Sequence, residues 1–165
     1  MSYRLFKHSL WGLFGTVTVL LIITSSASAQ EAEKSSLWLN AGGFSWHFEE
    51  RAQFNEVNPA LGFEYHLGSE WMMVSGRYKN SVNRKTSYFG AAYTPLSWNH
   101  LRFGVLLGVA DGYPKLNQGR WFGMLTPVVI YENGRFGANL IIIPTISESV
   151  KGALAVQFKF RLAEF

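Results

Sequence analysis

Residues 71–95 read WMMVSGRYKNSVNRKTSYFGAAYTP. Two flanks rich in Met, Val, Tyr, Phe and small residues enclose a polar, basic middle, Lys79–Asn80–Ser81–Val82–Asn83–Arg84–Lys85. The pattern predicts a strand, a polar rim loop and a returning strand. Branched and aromatic side chains fit a pleated surface, whereas Asn and Ser favour turns.

Working outward, the same kind of segment recurs, and eight strands are expected, at 37–48, 60–67, 71–79, 86–94, 100–110, 120–131, 135–143 and 151–162. Several alternate with period two. Leu61, Phe63, Tyr65 and Leu67 oppose Gly62, Glu64 and His66, and Leu101, Phe103, Val105, Leu107 and Val109 oppose Arg102, Gly104 and Gly108. Alternation alone does not say whether the apolar face points into a core or out into lipid. The connections do. The links Gly68–Ser69–Glu70, 95–99 and Glu132–Asn133–Gly134 are short, the last carrying an Asn-Gly hairpin signal, while the intervening links are mostly longer and polar. Short turns alternating with longer loops point to an all-β, eight-stranded antiparallel transmembrane barrel. The odd strands then run outward. Trp46–His47–Phe48, Lys79–Asn80–Ser81, Asp111 and Ser147–Glu148 come to one rim.

The chain of 165 residues opens with Arg4 and Lys7, an apolar run over 10–24 and then Ala27–Ser28–Ala29. This is the layout of a secretory signal peptide, expected over 1–29, with the barrel domain over 30–165. The apolar run falls short of the roughly 20 residues a spanning helix needs. Removing Arg4 and Lys7 lowers the formal charge from +4 to +2, which argues against nucleic acid as a partner. There is no cysteine and so no disulfide framework. Aromatic residues make up 16% of the chain, and an exported aromatic-rich chain without a second helix-length apolar run fits a closed barrel. Phe160 keeps the alternation of the last strand and Phe165 breaks it, so 161–165 reads as an extension.

Few residues can carry chemistry. His47 follows an aromatic stretch at the outward rim, where an imidazole can take a proton from an attacking hydroxyl. Ser81 shares that rim and could hold the histidine, act as nucleophile or steady an oxyanion. Asp111, beside Gly112–Tyr113–Pro114, suits a plain turn. His66 and His100 belong to the opposite end. With scattered histidines and no cysteine, no metal constellation and no cofactor are expected. Arg51, Lys79, Arg84, Lys85, Lys115 and Lys151 lie in or beside outward loops, where they suit lipid phosphates or simple solvation. A barrel of this size holds one small ligand rather than a pore. Small inward residues would leave room for a slender apolar chain. Pro127 and Pro144 withhold ladder hydrogen bonds, so strands six and seven could part there and admit a lipid tail.

Trp46–His47, Lys79–Asn80–Ser81 and the proline-bracketed run PVVIYENGRFGANLIIIP (127–144) together resemble the lipid A palmitoyltransferase family of outer-membrane enzymes. The resemblance covers most of the mature chain in architecture with few identities. It implies His47 and Ser81 as catalytic, with Asn80 at the family's aspartate position. It also implies transfer of a palmitoyl chain from a phospholipid to a lipid A hydroxyl. Asn80 would orient His47 or polarise the ester carbonyl. Arg77, Gly90, Ala92, Pro127 and Pro144 are candidate substrate-binding residues, with Gly90 and Ala92 as the floor of the acyl site. Asn80 removes the family's carboxylate, and 30–36 is too short for its amphipathic N-terminal helix. The expected protein is a divergent member of that family, a monomeric outer-membrane acyltransferase. The rivals are a non-enzymatic barrel that binds lipid or stiffens the membrane, and a soluble lipocalin-like carrier.

Overall fold

The computed structural model describes residues 34–165 apart from Glu50 and residues 146–149, so the expected signal peptide and the Ser147–Glu148 rim position lie outside the described residues. Eight strands close on themselves in chain order, every neighbour antiparallel. They are β1 Ser36–His47, β2 Val57–Leu67, β3 Trp71–Lys79, β4 Lys85–Trp98, β5 Leu101–Ala110, β6 Phe122–Asn133, β7 Phe136–Ile143 and β8 Ala153–Glu164.

Two details differ from the sequence reading. β4 runs on through Pro95 to Trp98, leaving only Asn99–His100 as the turn. Pro95 sits where the β4–β5 register shifts, a place that asks no ladder donor of it. Asn99, at φ 52°, takes the left-handed conformation the tight turn requires. At the other end, residues 161–164 are not an extension but part of β8. A register shift between Trp38–Arg161 and Leu37–Ala163 restores the phase, so Phe165 returns to the outward face and its N–H bonds Ser35 O at 2.9 Å.

The apolar faces point outward. Leu61, Leu107 and Leu125 are each over 60% exposed, and Phe63, Phe89, Val105 and Phe158 join them around the wall. A girdle of this extent has no place in water, and its backbone groups are paired around a closed ring. This is the exterior of a membrane-spanning barrel, the reverse of the soluble carrier.

The interior is filled unevenly. On the wall of β3 to β6, Met72, Val74, Ala92, Leu106, Val128 and Ile130 form an apolar cluster. Towards the short-turn rim the filling is ionic, drawn from β2, β5, β6 and β8. Lys159 Nζ lies 2.8 Å from Glu64 Oε2 and 2.6 Å from Glu132 Oε1, and the Lys159 and Glu64 side chains have no exposure at all. Arg102 Nη2 bonds His66 Nδ1 at 3.1 Å. A guanidinium can only donate, so Nδ1 is the acceptor and the Nε2–H points to Glu64 Oε2, 3.2 Å away. Trp38 stacks on His66, with Lys159 Nζ 4.8 Å from its ring centre. This filled half closes the barrel towards the short-turn rim and leaves space only towards the long-loop rim.

Candidate active site

That space is a cavity of about 160 Å³. Its mouth carries His47, Ser81, Asn58, Tyr78 and Tyr113, and its walls and floor include Met72, Val74, Leu106, Met124, Val128 and Ile141.

His47 faces inward because β1 changes phase. Trp38 and Asn40 point in, and so do Ser45 and His47. The odd step is taken at Ala41–Gly42, where both neighbouring registers shift and Gly42 has φ +98°. A regular strand would have turned His47 to lipid. The imidazole is 5% exposed and stacks on Phe54, ring centres 4.2 Å apart and planes 17° from parallel. Asn55, the next residue, donates its N–H to Ser81 O at 2.7 Å. One loop thus packs on the imidazole and ties down the serine, which is how His47 and Ser81 come to the same mouth.

Ser81 is 9% exposed, and its side chain hydrogen-bonds the Tyr113 hydroxyl. Tyr113 in turn lies 3.0 Å from the Tyr78 hydroxyl. Burial pushes the Tyr113 hydroxyl above its usual range, so it stays protonated and able to donate. Tyr113 was not legible beforehand, because it reaches Ser81 through a loop contact with no sequence signature.

Asn80 stands differently from the expectation. It is fully buried but does not line the cavity. Its Nδ2 donates to Thr86 Oγ1 and Gly112 O, both at 3.0 Å. Its Oδ1 accepts from Val82 N at 3.1 Å and Arg84 N at 2.9 Å. With both amide protons and the carbonyl engaged, Asn80 fastens the β3–β4 loop rather than orienting His47.

The substrate-binding candidates divide. Arg77 shares the outward face of β3 with Trp71 and Met73 and donates from Nε to Ser87 Oγ at 3.1 Å, so it lies outside the cavity. Gly90 and Ala92 face inward but do not line it. Ala92 belongs to the packed cluster, and a Cβ on Gly90 would meet Leu107 O at 2.5 Å. The floor is instead made by Met72, Val74, Leu106 and Val128. Pro127 is on the exterior of β6, opposite Val105 of β5. The β6–β7 ladder stops at Val128–Ile141, whereas β5–β6 pairing continues to Ala110–Phe122. Beyond that stop, Thr126 Oγ1 donates to Ile142 O, and Pro144 follows the end of β7. The two prolines therefore bracket a seam whose inner side, Met124, Thr126, Ile141 and Ile143, is cavity wall. Asp111 accepts from Ser87 N at 2.6 Å and fastens β4, as a turn residue would.

The barrel also assembles what the linear sequence scatters. Glu64, His66 and Glu132 place ligand atoms within 4.8 Å of one another. The Lys159 ammonium already bridges both carboxylates, taking the position a metal cation would need.

No family model matches the chain, and no curated protein matches it either. Among solved structures, the chain is similar to the de novo designed protein TMB2.3, determined by solution NMR, at TM-score 0.57 and 12% identity, covering 81% of this chain and 99% of the other. At that identity the likeness carries the fold and nothing about activity.

Proposed function

We propose that the barrel is an outer-membrane acyltransferase that moves an acyl chain from a glycerophospholipid to a lipid A hydroxyl. The observation that carries this reading is the pairing of His47 and Ser81 at the polar mouth of a largely apolar, closed-bottomed cavity. An acyl tail seated among Met72, Leu106 and Val128 would bring its ester to that mouth. His47 would take the proton of the acceptor hydroxyl as it attacks the ester carbonyl, and the leaving lyso-lipid oxygen would be protonated in turn. Ser81, held by Tyr113, would position the carbonyl or stabilise its developing negative charge. The seam between β6 and β7 gives the donor tail a lateral way in. A cavity of about 160 Å³ matches one that holds a benzene-sized guest, so a full palmitoyl chain needs the flexible Met72 and Met124 side chains to give way.

The second reading, a non-enzymatic barrel that binds lipid or stabilises the membrane, is favoured by one observation. Asn80 is committed to its loop and brings no carboxylate to the imidazole.

Mass spectrometry of lipid A separates the two. In a host lacking such an enzyme, the wild-type chain is expected to add one acyl chain, and His47→Ala and Ser81→Ala each to lower that product at least 100-fold. A folded wild-type barrel that adds no chain removes the enzyme reading. Product undiminished in both variants keeps an enzyme but removes this site.

A further inference from the structure

The exterior of β3 and β4 holds a feature that the cavity does not use. Down this face the outward side chains are mostly apolar, with Trp71 opposite Tyr93, then Met73 opposite Ala91, then Phe89 opposite Ser75. At Arg77–Ser87 the character changes abruptly. One step further Lys79 stands directly opposite Lys85, and Arg84 lies in the loop that joins them. All four cations are exposed. Like charges directly opposite across a ladder repel and destabilise the pair. Among the described residues none of the four has a carboxylate partner. Asp111, at the end of the neighbouring β5, is engaged with the Ser87 N–H. The outward cations expected from sequence are thus sorted. Lys151 is 13% exposed and pairs with Glu49 at 3.6 Å, while the β3–β4 group has no counter-ion among the described residues.

We infer that Arg77, Lys79, Arg84 and Lys85 form an exterior clamp for the phosphate of an anionic membrane lipid, seated where the apolar girdle ends. The position selects the source of the anion. A phosphate bound here has Phe89 one outward step beneath Arg77–Ser87 and Leu61 of β2 directly beside Arg77, both more than half exposed, and these would pack on the acyl chains of the same molecule. A free phosphate would gain nothing from them. The clamp lies three strands round the ring from the β6–β7 seam, so its lipid is not the one entering the cavity. Its role is to fix the height and tilt of the barrel in the bilayer. The inference rests on the membrane-spanning architecture and not on acyl transfer.

Native mass spectrometry of the full barrel, released from neutral detergent in the presence of phosphatidylglycerol or phosphatidylcholine, tests it. The wild-type chain should retain phosphatidylglycerol in preference to phosphatidylcholine. The Lys79→Gln/Lys85→Gln variant should lose that preference by roughly thirtyfold, about fivefold for each surface cation removed. Lys115→Gln, a charge change in an exposed loop elsewhere, should stay within twofold of wild type, and heat-modifiable gel mobility would show each barrel folded. Equal retention by wild type and the double variant overturns the clamp. So does an equal loss in Lys115→Gln, which would reduce the effect to net charge. Displacement of the lipid by millimolar inorganic phosphate would show an ordinary anion site and overturn the lipid assignment.

Discussion

Asn80 shows how much one atom can decide. Both protons of its Nδ2 are spent on acceptors, the Thr86 hydroxyl and the Gly112 carbonyl, inside a site with no exposure. An aspartate could still accept from Val82 N and Arg84 N, but it would set a carboxylate oxygen against the Gly112 carbonyl. Asn80→Asp is therefore expected to destabilise the barrel by about 1–3 kcal/mol, read from urea unfolding in lipid vesicles, without raising acyl transfer. A variant as stable as wild type, or more active, would mean that position 80 faces the imidazole after all. At this scale the sequence was informative for His47 and Ser81, because strand counting alone puts residues 47 and 81 on one rim. It misled at Arg77, although counting in twos from Trp71 through Met73 and Ser75 already turns that residue to the outside. Tyr113 was out of reach, since nothing local marks a loop tyrosine that will bond a serine 32 positions earlier.

At the scale of elements, two irregularities position the site. The first is the phase change of β1 at Gly42, which turns His47 inward. The Gly42–Gly43 pair was its only sequence signal, and a regular alternation read through it would have been wrong. The second is the early end of the β6–β7 ladder, which the prolines at 127 and 144 did announce. If the acyl donor enters there, closing the seam should stop transfer while leaving the barrel folded. The chain has no cysteine, so a Pro127→Cys/Ile142→Cys pair can be bridged selectively with a short, reducible bis-thiol reagent. Acyl transfer measured on the purified protein should fall at least tenfold on bridging and return on reduction. Transfer that continues unchanged across a closed seam would mean that the donor reaches the cavity from the loop side.

For the whole molecule, the barrel combines an apolar exterior with a half-ionic filling, and each makes the other tolerable. Strands that are apolar on their lipid face must turn Glu64, His66, Arg102, Glu132 and Lys159 inward, and those charges survive only by pairing. Lys159→Met would leave Glu64 buried without its ammonium. It is expected to cost about 3–5 kcal/mol in urea unfolding, more than any single exterior Leu→Ala change. A cost below about 1 kcal/mol would mean that water or a neighbouring arginine already reaches Glu64. The closed ring was legible from eight alternating segments and unequal links. The ion cluster was not, because its members come from β2, β5, β6 and β8 and meet only when the ring closes.

If the barrel is an acyltransferase, the interior above this filling takes a single acyl chain. Met72 and Leu106, 2% and 7% exposed, are sealed from lipid outside the wall and reachable only through the cavity. The direct measurement is a set of intermolecular nuclear Overhauser contacts between their methyl groups and the surrounding medium, with the barrel in a linear-chain phosphocholine. Contacts from the methyl groups of both residues to chain methylenes are expected, and are lost when bulky side chains replace Met124 and Val128. Contacts to water alone, with none to the chain, would contradict it.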